Sequence, residues 1–565
     1  MSDRKASPFD NTPFRKHSSL ISYNKIIMRY DLSFPPYGGH IGSLMAQHVH
    51  GYFVDVLRGE IYPACVALYD GLVIRIMRNV TVPDRYILPG LIDSHIHIES
   101  SHLTPCGFAE RAVIHGTTAI IADPSPIAST MGPDGLRYMQ EAAHSTPLRF
   151  HYTVPSAAPG IGWREVKSLL STEDYVALGE VTDYRELINE APGIMGKVEV
   201  ATQLGKKVDG HAPGLSGYEL DRYIMAGVSS DHECFSTREA EEKHRKGMRV
   251  AVRDGSGARN MRALIPFARA NKHLLATDHL RARDLVEGHI DNLLRQAVAE
   301  GLDPVQAIRS VTLWPAEHYG IIGGSLQVGS VGDLTVVSDL KTFKVLETWI
   351  GGVLVAKGGA PLFTSKAPEP IRHAYSGQRL GEVHAAGQGH VAAVKVIMAD
   401  QPEGAPLGQV DLPVIDGTIV ADPLRDILYL VWADPTEDWT LRTGFVSGFT
   451  LRTGALASSE IYGPGGIVGI GASLPEVEEA LGMVVDRGGG AVALLNGQYT
   501  CLDLPVAGLM SERPAEEVAS QEKALLAQTR AMGCSMDDPF LVLALLGREL
   551  PRAFQSEKPL MVMEI

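Results

Sequence analysis

Hydrophobic and polar positions follow three textures along the chain. From Gly51, the stretch GYFVDVLRGEIYPACVALYDGLVIRIM carries short β-rich runs split at RGE and YDG, which predicts a small antiparallel sheet. Between about residues 89 and 330, short apolar runs alternate with amphipathic helical runs. The strand candidates are GLIDSHIH, TTAIIADP, RFHYTVPS, VALGEV, KVDGHAPG, GVSSDHEC, MRVAVRDG and LLATDH, eight in all. Helical patterns such as PDGLRYMQEAAH and AIRSVTLWPAEHYG lie between most of them or follow the last. Strands alternating with helices predict right-handed βαβ units and a parallel sheet. Eight units in about 240 residues predict a closed (β/α)8 barrel over 89–330.

Residues 331–359 return to short β-runs and could complete one small β-domain with residues 46–88. Residues 360–374, beginning APLFTSKAPEP, read as a linker, and 375–565 as a further α/β domain with runs such as GIVGIGAS and AVALLNG. Residues 1–45, with the turn-rich FPPYGGH, read as a tail or arm on the surface. The fold class is therefore α/β, a TIM-like barrel with a flanking β-domain built from both sides of it and a C-terminal α/β domain. No period of 20 to 50 residues marks a solenoid.

Composition narrows the function. The 565 residues are 45% hydrophobic and 21% charged, an ordinary globular balance. The net charge of −15 argues against a general nucleic-acid binder. Five cysteines without a CxxC argue against a disulfide framework or a zinc ribbon, so a reducing cytoplasm is expected. The first 20 residues lack an apolar targeting core, and no apolar run reaches the roughly 18 residues of a membrane helix. A soluble cytoplasmic protein without a membrane partner is the expectation.

Residues able to bind metal or move protons end most of the strand candidates. His95 and His97 end the first, Asp123 the second, Glu180 the fourth, His211 the fifth, His232 the sixth and Asp278 the eighth. In a parallel barrel these ends converge on one mouth. On a strand, residues i and i+2 share a face, so His95 and His97 can grip one ion side by side. Four imidazoles with two or three carboxylates suit two divalent cations. Such a pair lowers the pKa of a shared water toward neutrality, and a carboxylate can carry its proton to a leaving nitrogen. Asp278 is the natural carrier; Glu180 can bridge the ions or share the proton work. Ser256, Arg259 and Asn260 in RDGSGARN could hold the ring nitrogens of a substrate, or only cap the following helix. His115, His144, His273 and His289 read as satisfied polar groups, and Cys234 as a buried inert thiol despite standing two residues from His232. The glycines of GPGGIVGIGAS match neither GxGxxG nor a P-loop.

The run PGLIDSHIHIESS resembles the first barrel strand of the amidohydrolase superfamily. Within it the chain resembles the bacterial adenine deaminases, through HIESS, HGTTAIIADP, LGEV, GHAPGLSG, SDHEC, RDGSGARN and EGHID in the family's order, then TLRTGALASS, GGGAV and LPVAGLMS. The resemblance covers about residues 50 to 565. It implies hydrolytic deamination of adenine to hypoxanthine and ammonia, in purine salvage or catabolism. It implies a binuclear site of Mn2+, with Fe2+ as the other usual ion, and a homo-oligomer such as a dimer. Carried over, His95, His97, His211 and His232 match metal-binding histidines. Glu180 matches the fourth-strand carboxylate, Asp278 the last-strand aspartate and Asp123 the second-strand aspartate.

Three motifs depart from the family's usual pattern. Asp-Pro-His-Glu is DPSP here, with Ser125 and Pro126; Thr-Asp-Asp-Arg is TDHL, with His279 and Leu280; and the C-terminal His-Asp-Ser-His-Asn run is replaced by ASSEIYGPGGI. These departures leave room for another aminopurine, a pterin or a cyclic amide as substrate. A degenerate paralogue would have lost metal ligands, and none is lost.

Overall fold

The structure, a computed structural model, describes residues 46–372, 380–399, 407–435, 438–463, 465–548, 550, 554 and 561–563. The tail expected over residues 1–45, residues 373 and 374 of the linker, and Pro464 of the glycine-rich run lie outside the described residues. Four strands open the fold: β1 (Gln47–Asp55), β2 (Glu60–Tyr69), β3 (Leu72–Arg78) and β4 (Tyr86–Pro89). The RGE and YDG breaks fall at the two turns between the first three. At the second, Asp70 and Gly71 take φ of 47° and 75°, the paired left-handed geometry that a two-residue Asp-Gly hairpin provides.

The alternating region forms parallel strands in chain order. They are β5 (Leu91–His97), β6 (Thr117–Ala122), β7 (Arg149–Val154), β8 (Tyr175–Val181) and β9 (Lys207–Gly210), then β10 (Ser230–Asp231), β11 (Arg249–Arg253) and β12 (Leu274–Ala276). The last run breaks at Thr277 and resumes as β13 (Asp278–His279), which pairs in parallel with β5. Thus β13-β5-β6-β7-β8-β9 form one sheet and β10-β11-β12 another. Between them, the Ser229 N–H donates to the Val208 carbonyl at 2.8 Å. The parallel array curls so that its last run returns to its first. Every residue of β6 is buried, as a strand covered on both faces requires.

After the parallel region come β14 (Leu334–Val337), β15 (Val345–Ile350), β16 (Val353–Lys357) and β17 (Ala360–Pro361). Antiparallel pairing of β14 with β4 joins them to β1–β4 in one eight-stranded sheet. Val66, Leu68, Leu334 and Val336 from both segments share its core. A separate ten-stranded sheet is built from strands between Val391 and Met563. The helix Leu474–Asp486 buries Val477, Ala480, Leu481 and Val484 in the core of that sheet. Among the described residues, no helix is long and apolar enough to cross a membrane.

One buried polar network ties this last region to the parallel strands. Arg281, only 1% exposed, donates to Glu460 at 2.8 and 2.9 Å and to Asp538 at 2.9 Å. His102 bonds Glu460 through Nε2 at 3.0 Å and Glu522 through Nδ1 at 2.8 Å. Burial opposes the ionisation of Glu460, but Arg281 and His102 outweigh it and hold its pKa at about 2. Removing one partner of such a cluster leaves an uncompensated buried charge. Arg281→Met is therefore expected to cost about 3–5 kcal/mol in urea unfolding. Because the folded pKa of Glu460 is depressed, its contribution is full above its ordinary value of 4.5 and is lost as the pH falls toward 2. A variant with unchanged stability at pH 7 would show that the network carries no such energy.

Candidate metal centre

The strand ends bring six of the expected side chains into one buried cluster. The candidate ligand groups are His95/His97/Glu180, His95/His232/Asp278, Glu180/His211/His232 and His97/Asp278/His279. Glu180 faces both ways. Its Oε1 lies 3.5 Å from His97 Nε2, while Oε2 lies 3.4 Å from His232 Nε2 and 2.7 Å from His211 Nδ1. Asp278 Oδ1 lies 3.5 Å from His95 Nε2 and 3.6 Å from His97 Nε2. Glu180 is thus shared by two groups of candidate donors, one with His95 and His97 and the other with His211 and His232.

Local sequence explains these placements. Gly179 precedes Glu180, and a Cβ there would meet Asp123 Oδ2 at 2.3 Å. Its absence lets Asp123 accept the backbone N–H of Glu180 at 3.2 Å. The Asp123 carbonyl accepts from His97 Nδ1 at 2.9 Å, which turns Nε2 toward the cluster. Asp123 thus stands beside these donors and orients two of them. Asp278 adopts φ of 61° at the break in the last strand. Such a conformation costs a non-glycine residue about 1–3 kcal/mol and persists where surrounding structure imposes it.

The donor set fits divalent cations. Both nitrogens of His95 are buried without a hydrogen-bond partner, a costly state that an ion at the cluster would relieve. Burial opposes the charge of Glu180, but His211, His232 and His97 hold its pKa well below the usual carboxylate range. Burial likewise opposes charging His97, yet Glu180, Asp123 and Asp278 raise its pKa to about 10. Protons on the imidazoles thus balance the carboxylates where ions would otherwise do so.

Of the proposed substrate contacts, Ser256 and Asn260 are committed to the protein. Ser256 Oγ donates to Asp284 at 2.6 Å and accepts from the Arg281 N–H at 2.8 Å, and Asn260 Nδ2 donates to the Cys234 carbonyl at 3.1 Å. Arg259 stays exposed at a cavity of about 260 Å3 that Asp254, Asp284 and Asn292 also line. His289 bonds Thr117 at 2.7 Å and Asp93 at 3.0 Å and is a satisfied polar group. His115 bonds Asp291 at 3.3 Å through Nδ1, but against expectation His115 Nε2 and His273 Nε2 are buried without a hydrogen-bond partner. Cys234 is buried, and burial pushes its thiol pKa up.

Four members of the site escaped the sequence reading as functional groups. Arg253 bridges Asp278 and Glu233 with its two terminal nitrogens. It ends the seventh strand, so the rule that found the others also points to it. Glu233 follows His232 and places Oε1 3.4 Å from His211 Nδ1. Arg548 reaches Glu180 Oε1 at 3.2 Å from near the end of the chain, and no local motif announces it. His279 stands in the TDHL departure.

The three departures meet in space. Ser125 Oγ lies 3.5 Å from His97 Nδ1. The His279 ring stacks on His97 at 4.9 Å and on Tyr462 at 5.1 Å, with interplanar angles of 24° and 13°. Tyr462 donates to Glu460 at 2.9 Å. Burial lowers the pKa of His279 to about 3, which keeps the imidazole neutral.

Residues 86–355 match the amidohydrolase family model, and residues 407–550 match the adenine deaminase C-terminal domain. The adenine deaminase of Methanothermobacter thermautotrophicus is 38% identical over 515 residues, covering 88% of this chain and 94% of that protein. The adenine deaminase of Salinibacter ruber is 37% identical over 512 residues, with the same coverage of 88% and 94%. Among solved structures, a D-hydantoinase is similar at a TM-score of 0.44 and 14% identity, over 57% of this chain and 97% of that one.

Ligands must be deprotonated before they bind an ion. With His97 raised to about 10, the ion-free site is protonated at pH 8. Divalent-ion loading at that pH is expected to release roughly one proton or more per chain, and apparent affinity should fall as the pH falls. Titration calorimetry in buffers of different ionisation enthalpy measures this release. Uptake without proton release would contradict the charge balance described.

Proposed function

The chain belongs to the adenine deaminase family, and on that premise we propose how its cluster carries the hydrolytic deamination of adenine to hypoxanthine and ammonia. The carrying observation is the meeting of His95, His97, Glu180, His211, His232 and Asp278 at the ends of separate parallel strands. We read the two parallel sheets as one closed (β/α)8 barrel with this cluster at its mouth.

His95, His97 and Asp278 would hold one divalent ion and His211 and His232 a second, with the Glu180 carboxylate available to both. Mn2+ or Fe2+ suits a set of imidazoles and carboxylates. A bound pair supplies hydroxide near neutral pH. The chain's own groups do the rest. Asp278 takes a proton from the attacking water and passes it to ring N1 as the C6–O bond forms and the C6=N1 double bond becomes single. It then carries the remaining hydroxyl proton to the amine nitrogen, so the C6–N bond breaks, C6–O becomes the hypoxanthine carbonyl, and ammonia departs. Arg253 occupies Asp278 Oδ2 and leaves Oδ1 toward the imidazoles. Asp123 is a positioning residue, acting through Glu180 and His97. Ser256 and Asn260 fix the loop after β11, where Arg259 remains exposed to a ligand.

Purified protein loaded with Mn2+ should convert adenine to hypoxanthine, followed by absorbance and ammonia release. Asp278→Asn is expected to lower kcat by about 10²–10⁴-fold, the range for a lost proton carrier. His97→Ala should lose an ion and activity together. Two bound ions without adenine turnover would sink the substrate and leave the seats standing.

A further inference from the structure

Asp278 Oδ1 has a third imidazole at the same range. His279 Nε2 lies 3.6 Å away, matching His97 at 3.6 Å and His95 at 3.5 Å. Two donors bound at about 2.1 Å to one ion, at angles between square and tetrahedral, lie about 3.0–3.4 Å apart. Each of the three imidazole nitrogens therefore stands from this oxygen at a spacing only slightly wider than that of two donors on one ion, and the ligand atoms of His97, Asp278 and His279 all lie within 4.8 Å of one another. The His279 ring packs against both His97 and Tyr462, whose own ring centroids lie 6.2 Å apart. Its Nδ1 is buried without a hydrogen-bond partner, as are both nitrogens of His95.

We propose that His279 is a third nitrogen donor to the ion held by His95, His97 and Asp278, making the two seats unequal. The inference rests on the binuclear reading given above. The nitrogen-rich seat favours an ion suited to imidazole, such as Zn2+ or Fe2+, over Mn2+, which suits oxygen donors. The seat of His211 and His232 keeps two imidazoles.

The test compares the full chain with His279→Phe and His279→Asp. Phenylalanine keeps a planar ring against His97 and Tyr462 but removes both nitrogens, and aspartate substitutes an oxygen donor. Each protein is stripped of metal, shown folded by circular dichroism, and titrated with Mn2+ and Zn2+ against a chromogenic chelator. Pulsed electron paramagnetic resonance of the Mn2+ form counts coordinated imidazole nitrogens. In His279→Phe, one of two ions should bind at least about tenfold more weakly, with one imidazole fewer on that ion. In His279→Asp, both ions should remain while the preference for Zn2+ over Mn2+ at one seat declines. Unchanged affinities and nitrogen count in His279→Phe would overturn the proposal. Should that variant not fold, an unchanged Zn2+ preference in His279→Asp would overturn it. Failure of the unsubstituted chain to take up two ions would instead sink the binuclear reading.

Discussion

The site depends on keeping one carboxylate ionised out of water. Glu180 is buried, and removing a bare carboxylate from solvent costs several kcal/mol unless partners compensate. Its partners come from three other strands of the parallel array and from the end of the chain: His97, His211, His232 and Arg548. Its backbone is held as firmly, with its N–H on Asp123 and its carbonyl accepting from Ser156 Oγ at 2.6 Å. Moving Glu180 would remove the carboxylate on which these three imidazoles and Arg548 converge. The missing side chain of Gly179 and the turned ring of His97 follow from the same requirement.

Much of this was legible because parallel strands obey a positional rule. Chemistry gathers at their C-terminal ends, so DSHIH, LGEV, DGHAPG, SSDHE and LATDH could be read as neighbours before any coordinates. Arg253 obeys the same rule and was missed because an arginine is not a metal ligand. Residue type alone could not separate the two readings of Ser256 and Asn260. A hydroxyl or amide that braces a loop looks in sequence like one that meets a substrate, and the bonds to Asp284 and the Cys234 carbonyl become visible only in the folded chain. Arg548 lay beyond any local pattern, because it stands 368 residues from Glu180 along the chain. The antiparallel runs on both sides of the parallel region suggested a shared sheet by texture, but only the β4–β14 register shows which strands join.

The departures from the family's usual motifs are scattered in sequence and contiguous in space. Ser125, His279 and Tyr462 line up against His97, and the last of them leans on Glu460. A change at one of these positions alters what the next can pack against. They are better understood as a single altered wall than as three separate losses, and the metal-facing edge of His97 is left where the cluster needs it.

The Arg281 network also bears on how the chain can be made. Its carboxylate partners Glu460 and Asp538 lie 179 and 257 residues farther along. A ribosome that has released the parallel strands has yet to synthesise the anions that neutralise this guanidinium. Burying Arg281 before those carboxylates arrive would leave an uncompensated charge out of water. A fragment cut between the two halves would keep this cation without its carboxylate partners, and hydration would have to take their place.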